Sequence, residues 1–363
     1  MNTLDLTVLA LVTLGSIIGA SLGLVRGLMV WLGFVLGARL SSRVQELGQV
    51  VQKLGRGGVE VRVRTVGSDE ITAVLPLPQD ETLWESLHLV FATASGNVRR
   101  NRLSDFRNVR ASGLIAMKLD EGDKLIGVAT CREGDDVLLA SRQGKCIRFQ
   151  LNEDTVRVFA GRDSSGVRGI RLATNDEVMS LSVLRHIDAN IEERAAYLKI
   201  ANAKRRAGDE EAAEAPSDDE QVADVALSPE RVAELEAAEE MLLTVTDIGF
   251  GKRTSAYEYR VTGRGGQGIA NIALAPRNGK AVAATFPVRA GDDVMLVTDA
   301  GRLIRVPSDQ VRITGRQAMG VTMFRVDAGE RVTSVFPILE DDSDAAEPEN
   351  PETDSNNTEQ TDG

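Results

Sequence analysis

The spacing of apolar and polar positions gives the chain several distinct rhythms. Leu6–Val25 runs without a charge, Arg26 interrupts it, and Gly27–Ala38 continues uncharged. About twenty apolar residues in a row let a helix cross a bilayer, so this stretch predicts a membrane-type helical segment over residues 1–45. Gly15, Gly19 and Gly23 fall four apart, as close helix packing in lipid favours. A polar connector covers 46–57. From about 58 the pattern becomes short runs of alternating β-branched and apolar residues bounded by Gly and Asp, which are strand and hairpin signals. The clearest unit, Asp293–Ile338, opens with Val294-Met-Leu-Val297, turns at Thr298-Asp299-Ala300-Gly301 and returns through Arg302-Leu-Ile-Arg305-Val-Pro307. It then crosses Gly315 and Gly320 and ends in Val332-Thr-Ser-Val-Phe-Pro337-Ile338. About four short strands are predicted for it.

The same unit recurs upstream. Leu89–Arg100, Val137–Arg148 and Met241–Gly249 repeat its hairpin, with turn glycines at 96, 144, 249 and 301. The steps are 48, 105 and 52 residues, and the long one shrinks to 50 when residues 186–240 are set aside. A fixed period near fifty with several strands per period predicts a mainly β, propeller-like array in which each repeat buries its face on the next. A headless copy survives at Glu70–Leu77, matching the Phe-Pro-Ile ending of the last unit, so the first blade is truncated. Repeats are expected over 58–185 and 241–339.

Between them, 186–240 reads as an acidic insertion: helical at Glu192–Arg206, disordered at Gly208–Glu220 and helical again at Pro229–Glu240. Ser228 suits a helix cap and Pro229 a first helical position. The expectation is a solvated insertion. Residues 340–363, acidic and rich in Pro and Asn, read as a disordered tail.

Charge changes meaning once it is located. The chain carries a net charge of −12. Residues 186–240 hold 16 acidic and 6 basic groups, and 340–363 hold 10 acidic and none basic, so the remainder is positive by 8. A basic repeat array with acidic appendages points to a polyanionic partner.

Four stretches carry a family resemblance: Ala92-Thr-Ala-Ser-Gly-Asn-Val-Arg-Arg-Asn-Arg-Leu-Ser-Asp-Phe106, Ala116-Met-Lys-Leu-Asp-Glu-Gly122, Gly161-Arg-Asp-Ser-Ser-Gly-Val-Arg-Gly-Ile-Arg-Leu172 and Tyr257-Glu-Tyr-Arg-Val-Thr-Gly-Arg-Gly-Gly-Gln-Gly-Ile269. They resemble the C-terminal DNA-wrapping domain of the bacterial DNA gyrase A subunit over residues 58–339. The resemblance implies a β-pinwheel whose basic rim bends duplex DNA, gyrase catalytic subunits as further partners, and a cytoplasmic, nucleoid-associated location. The family's Gln-Arg-Arg-Gly-Gly-Lys/Arg-Gly box is represented only by Arg264-Gly-Gly-Gln-Gly268 and the stub Arg56-Gly57-Gly58. With about four and a half units where the family has six, wrapping is expected to be impaired. Residues 1–45 resemble the start of the CvpA (colicin V production) family through Leu4-Asp-Leu-Thr-Val-Leu-Ala-Leu11 and Gly23-Leu-Val-Arg-Gly-Leu28. Membrane contact through 6–38 and a join between unrelated sequences stand as two readings of that segment.

The candidate DNA-binding residues follow from the repeat. Arg99, Arg100, Arg102, Lys145, Arg148, Lys252, Arg253, Arg302 and Arg305 fall just beyond successive hairpin turns. Arg157, Arg162, Arg168, Arg260, Arg264, Arg312 and Arg316 recur mid-repeat. Equivalent positions in stacked blades are expected to point the same way and to form a row that tracks a phosphate backbone. No helix carries clustered polar base readers and aromatics are 4%, so binding is expected to be tolerant of sequence.

Catalysis is not expected. Gly263-Arg-Gly-Gly-Gln-Gly268 satisfies a dinucleotide glycine pattern but leads into a strand-like run, not a helix N-terminus. Tyr197, Tyr257 and Tyr259 lack the preceding arginine that the resembled family's nucleophile carries. Cys131 and Cys146 have neither metal nor redox spacing and read as buried thiols. No cofactor or metal is expected. The alternative to the DNA reading is a membrane-anchored protein whose β-repeats form a cytosolic interaction module.

Overall fold

The computed structural model describes residues 59–64, 71–108, 115–208 and 225–338. The apolar stretch 6–38, the connector and the acidic tail lie outside these residues. Among the described residues no helix is long and apolar enough to cross a membrane.

In chain order the elements are β1 (Val59–Arg64), β2 (Ile71–Leu77), β3 (His88–Thr93), β4 (Asn97–Arg102), β5 (Leu125–Cys131), β6 (Asp136–Ser141), β7 (Lys145–Gln150), β8 (Val167–Arg168) and β9 (Val178–Leu184). Helices α1 (Ile191–Gly208) and α2 (Pro229–Ala238) follow. The chain continues with β10 (Met241–Thr246), β11 (Phe250–Ser255), β12 (Ile269–Ala270), β13 (Val282–Val288), β14 (Asp293–Thr298), β15 (Leu303–Pro307), β16 (Val321–Thr322) and β17 (Val332–Ile338). They fall into two compact units, one taking residues up to Gly134 with Leu151–Arg168, the other Asp135–Gln150 with everything from Gly169.

Each hairpin closes the same way: the amide of the turn glycine donates to the carbonyl three residues back, at 2.9 Å from Gly96 to Thr93 and 3.0 Å from Gly301 to Thr298. These glycines have φ between 79 and 88°, where a side chain would be strained.

The first unit holds the two-stranded sheet β1-β2 and the four-stranded sheet β5-β3-β4-β8. The headless copy predicted at 70–77 is β2. Leu75 and Leu77 join Trp84, Leu89, Phe91, Leu125 and Val128 in one core. The second unit holds β12-β7-β6-β9, β13-β10-β11-β16 and the three-stranded β15-β14-β17. Leu138, Cys146, Leu184, Leu242 and Tyr259 form one of its cores; Leu243, Val245, Val288, Val294 and Leu296 form another.

The strand count per repeat agrees with the sequence, but not where the fourth strand goes. β8, β12 and β16 each lie between the second and last strands of one repeat, yet each pairs with the second strand of the preceding sheet: Val167 with Val98, Ile269 with Cys146, Val321 with Gly251. The glycine just before each donated strand makes this possible. A Cβ on Gly166, Gly268 or Gly320 would stand 2.2, 2.2 or 2.6 Å from the carbonyl oxygen of Val98, Cys146 or Gly251. Only a residue without Cβ lets the two backbones approach so closely.

The insertion departs from expectation too. Both predicted helices form, and Ser228 caps α2 by accepting from the Arg231 amide at 3.2 Å, with Pro229 at the first position. They are packed on the β-repeat, not solvated throughout. Tyr197 of α1 sets its ring edge-on against Tyr257 at 5.3 Å, Tyr257 donates its hydroxyl to the Leu235 carbonyl at 3.0 Å, and Leu198, Ala201 and Leu235 are buried with them.

Candidate nucleic-acid interface

Aligning the repeats on their turn glycines places one arginine at the same position in every second strand: Arg100, Arg148, Arg253 and Arg305. The structure gives three of them work inside the protein. In the first unit Arg100 is fully buried and pairs with Glu133 and, at 3.4 Å, Glu153. In the second, Arg148 pairs with Asp136 at 2.7 Å and donates to the carbonyls of Ala256 (2.7 Å) and Arg185 (3.3 Å). Arg253 pairs with Asp309 at 2.8 Å and donates to the Val311 carbonyl at 2.8 Å. Each also bridges, through its backbone, the segment that crosses from the next hairpin: Arg100 to Val158, Arg148 to Val261, Arg253 to Ile313. These arginines fasten the crossing segment.

The residue before them behaves alike where it is cationic. Arg99 donates to the Ser164 carbonyl at 2.6 Å and to the Gly161 carbonyl, and burial pulls its pKa below the usual guanidinium value. Lys252, fully buried, donates to the carbonyls of Gly315 (2.9 Å) and Arg316. Arg316 is itself buried, its Nη1 donating to the Ala270 carbonyl and its amide to Glu258 at 2.6 Å. Burial raises the Glu258 pKa, with Lys252 and Arg316 opposing the rise. Arg99, Arg100, Arg148, Lys252 and Arg316 are therefore removed from the expected phosphate-tracking row, because carbonyls and carboxylates of their own chain already engage them.

The solvent side belongs to the crossing segments, which share a pattern: Val156-Arg157-Val158-Phe159-Ala160-Gly161-Arg162, Tyr259-Arg260-Val261-Thr262-Gly263-Arg264 and Val311-Arg312-Ile313-Thr314-Gly315-Arg316. The first residue of each is buried and the arginine after it is exposed, so Arg157, Arg260 and Arg312 are equivalent outward-facing cations. Arg157 lies 4.9 Å from the Phe159 ring centroid, with Arg99 at 4.8 Å, a cation–π contact that orders an exposed guanidinium. Arg264, Arg102, Lys145 and Arg168 are exposed as well, and Arg162 is half-buried. On the last hairpin Arg302 pairs with Asp327 at 3.0 Å and Arg305 with Asp293, both toward solvent.

Two residues that hold these cations escaped notice in the sequence. Asp136 and Asp293 open β6 and β14, each eight residues before its turn glycine. That fixed offset from the glycine was the available signal.

The tyrosines sit deep. Tyr259 is fully buried with its hydroxyl donating to Asn271 at 2.8 Å, and burial pushes Tyr257 up to about 12. Both hydroxyls are engaged within the protein, that of Tyr257 by the Leu235 carbonyl. Cys131 and Cys146 are free thiols, and burial pushes Cys146 up to about 12.

Comparison with known proteins finds a family model described as DNA gyrase C-terminal domain, beta-propeller, matching residues 87–132, 135–185, 240–286 and 292–338. These four segments are the four repeats that own a complete hairpin. The DNA gyrase A subunit of Granulibacter bethesdensis is 72% identical over 302 residues, covering 79% of this chain and 32% of that protein. The protein of the same name from Rickettsia bellii is 44% identical over 294 residues, covering 81% of this chain and 32% of its own length. The chain thus spans about a third of the curated relatives it matches. A solved DNA gyrase A C-terminal domain superposes with a TM-score of 0.54 at 19% identity, covering 76% of this chain and 73% of that one. The C-terminal domain of DNA topoisomerase IV gives 0.53 at 16%, covering 74% and 66%. At those identities the superpositions speak to fold alone.

Proposed function

The chain belongs to the DNA gyrase C-terminal domain, beta-propeller family, and from that membership we propose that it binds duplex DNA as the C-terminal, non-catalytic part of a type IIA topoisomerase. The observation that carries the reading is the recurrence of an exposed arginine, Arg157, Arg260 and Arg312, at one position of successive crossing segments. Cations that recur at one position of each repeat suit a polymer whose charge repeats along its length. Arg264, Arg168, Arg102 and Lys145 extend the exposed set. Guanidinium forks favour phosphate oxygens, and binding of this kind reads backbone and deformability more than base edges.

Bending and wrapping, association with gyrase catalytic subunits and a nucleoid location belong to the same proposal. Wrapping is proposed to be weaker than in a complete array. Among the described residues the first sheet has two strands and the last has three, so fewer equivalent positions carry DNA around.

Electrophoretic retardation of a linear duplex by the full chain over a range of KCl tests the proposal. Replacing Arg157, Arg260 and Arg312 by Gln is expected to flatten the slope of log affinity against log salt by about 0.9 for each phosphate no longer neutralised. No retardation in dilute buffer, or an unchanged slope in the triple variant, refutes it.

A further inference from the structure

The arginine shared by the second strands is held differently in the first repeat. In β7 and β15 its Nε donates to the aspartate that opens the preceding strand: Arg148 to Asp136 at 2.8 Å, and Arg305 to Asp293. The pairing is diagonal in both, because Leu138 lies directly opposite Arg148 and Met295 opposite Arg305, each two residues after its aspartate. Diagonal neighbours on one face of a sheet are within reach of long side chains. In the first repeat Val90 lies opposite Arg100, so the diagonal residue is His88, eight before its turn glycine. The third repeat has Met241 there, and Asp309 holds its Arg253 instead.

A neutral imidazole brings no negative charge to that place. Arg100 is fully buried, and among the described residues neither its Nε nor the buried His88 Nδ1 has a hydrogen-bond partner. The Arg100 Nη atoms reach Glu133, just after β5, and Glu153, just ahead of the first crossing segment. Glu153 Oε1 also accepts from the Val158 amide at 3.3 Å, and the Arg100 carbonyl accepts from the Phe159 amide at 2.8 Å. The guanidinium thus ties down the segment that presents Arg157. The charged groups around His88 are Arg100 and Arg102 of β4, Glu133 and Glu153, while Cys131 of β5 donates its thiol to the His88 carbonyl at 3.7 Å. Two cations and two carboxylates balance, and a proton on His88 adds a third cation. Burial pulls the His88 pKa below its ordinary value; Arg100 and Arg102 lower it further, against the two glutamates.

We propose that His88 and Arg100 form a pH-sensitive latch on the first crossing segment. With His88 neutral, Arg100 engages Glu133 and Glu153 and the segment is fastened. Proton uptake sets an imidazolium beside the guanidinium; repulsion, and competition for the two glutamates, then loosens Glu153 and the Val158 amide it holds. An opened or unfolded chain takes up the proton at a higher pH than the latched one. The latch is therefore complete above the ordinary histidine value of 6.5 and weakens as pH falls below it. Because the segment carries Arg157, the latch tunes part of the proposed DNA surface. That consequence rests on the DNA-binding reading; the latch itself does not.

Amide hydrogen exchange of the full chain, followed at Val158 and Phe159 between about pH 7.5 and about pH 5.5 and corrected for the intrinsic exchange rate, reads the latch. Protection is expected to fall by up to about tenfold per pH unit below 6.5. His88→Asp supplies the carboxylate that β6 and β14 have, ionised throughout this interval, and is expected to lose most of that slope. Equal slopes in the two chains overturn the latch. A second measurement leaves the latch untouched. The chain has two histidines, so the imidazole resonance that survives in His186→Asn belongs to His88. Its NMR titration midpoint is expected below 6.5. A midpoint at or above that value overturns the proposal, and it does so even if His88→Asp folds poorly.

Discussion

Arg148→Met separates a structural cation from a DNA-binding one. Arg148 and Asp136 are 4% and 0% exposed and 2.7 Å apart, and Arg148 also supplies donors to the carbonyls of Ala256 and Arg185. Removing the guanidinium leaves a buried carboxylate with His186, at 2.9 Å, as its remaining side-chain partner. Breaking a buried pair from one side costs about 3–5 kcal/mol. With a urea m-value of about 3 kcal/mol/M, the unfolding midpoint should fall by about 1 M or more. Arg305→Met provides the internal control, since it removes the same residue from the same repeat position and breaks the same pairing, with Asp293. That arginine is 58% exposed, so the cost should stay below about 1 kcal/mol. The doubly apolar Asp136→Leu/Arg148→Met chain should recover part of the loss, because no charge is then stranded. Urea unfolding followed by circular dichroism reads all three. Equal midpoint shifts for Arg148→Met and Arg305→Met would refute the reasoning. So would an Arg148→Met chain with a wild-type midpoint and weakened DNA retardation, which would return that residue to the DNA surface.

Three further outcomes are expected. Gly268→Ala should destabilise by at least about 2 kcal/mol, combining left-handed backbone strain with a Cβ 2.2 Å from the Cys146 carbonyl oxygen, and a thermal midpoint within about 1–2 °C of wild type would contradict the strand-donation account. Stability should decline as pH rises from the ordinary thiol range toward 12. An exposed, unfolded thiol ionises while the folded Cys146 thiol, raised to about 12, stays neutral, so protons favour the folded chain by up to about 1.4 kcal/mol per pH unit; Cys146→Val should lose less over the same interval in urea titrations. Tyr257→Ala should loosen α1 and α2 before the sheets, since it removes the ring against Tyr197 and the donor to Leu235; amide exchange that quickens equally throughout would argue against a docked helical pair.

The sequence by itself determined the repeat. Period, hairpin turns at 96, 144, 249 and 301, the headless strand at 71–77 and both helices of the insertion were legible, because each rests on local chemistry: a glycine that must take positive φ, alternation that suits a pleat, a serine cap before a proline. Family membership was legible for the same reason, as long stretches of that chemistry stand in one order. Tertiary structure alone decided which cations face water. Neighbours on a strand should point to opposite faces, yet Arg99 and Arg100 are both buried, since adjacent side chains meet the crossing segment and the acidic residues Glu133 and Glu153 from different sides. Period-two reasoning presumes one solvent face, and a strand covered on both faces offers none. The destination of β8, β12 and β16 was hidden likewise, because two residues carry no periodicity and their partner is chosen by backbone proximity across a glycine. Arg148 and Arg305 share a position in the repeat; what buries one and exposes the other is the strand that pairs beside it.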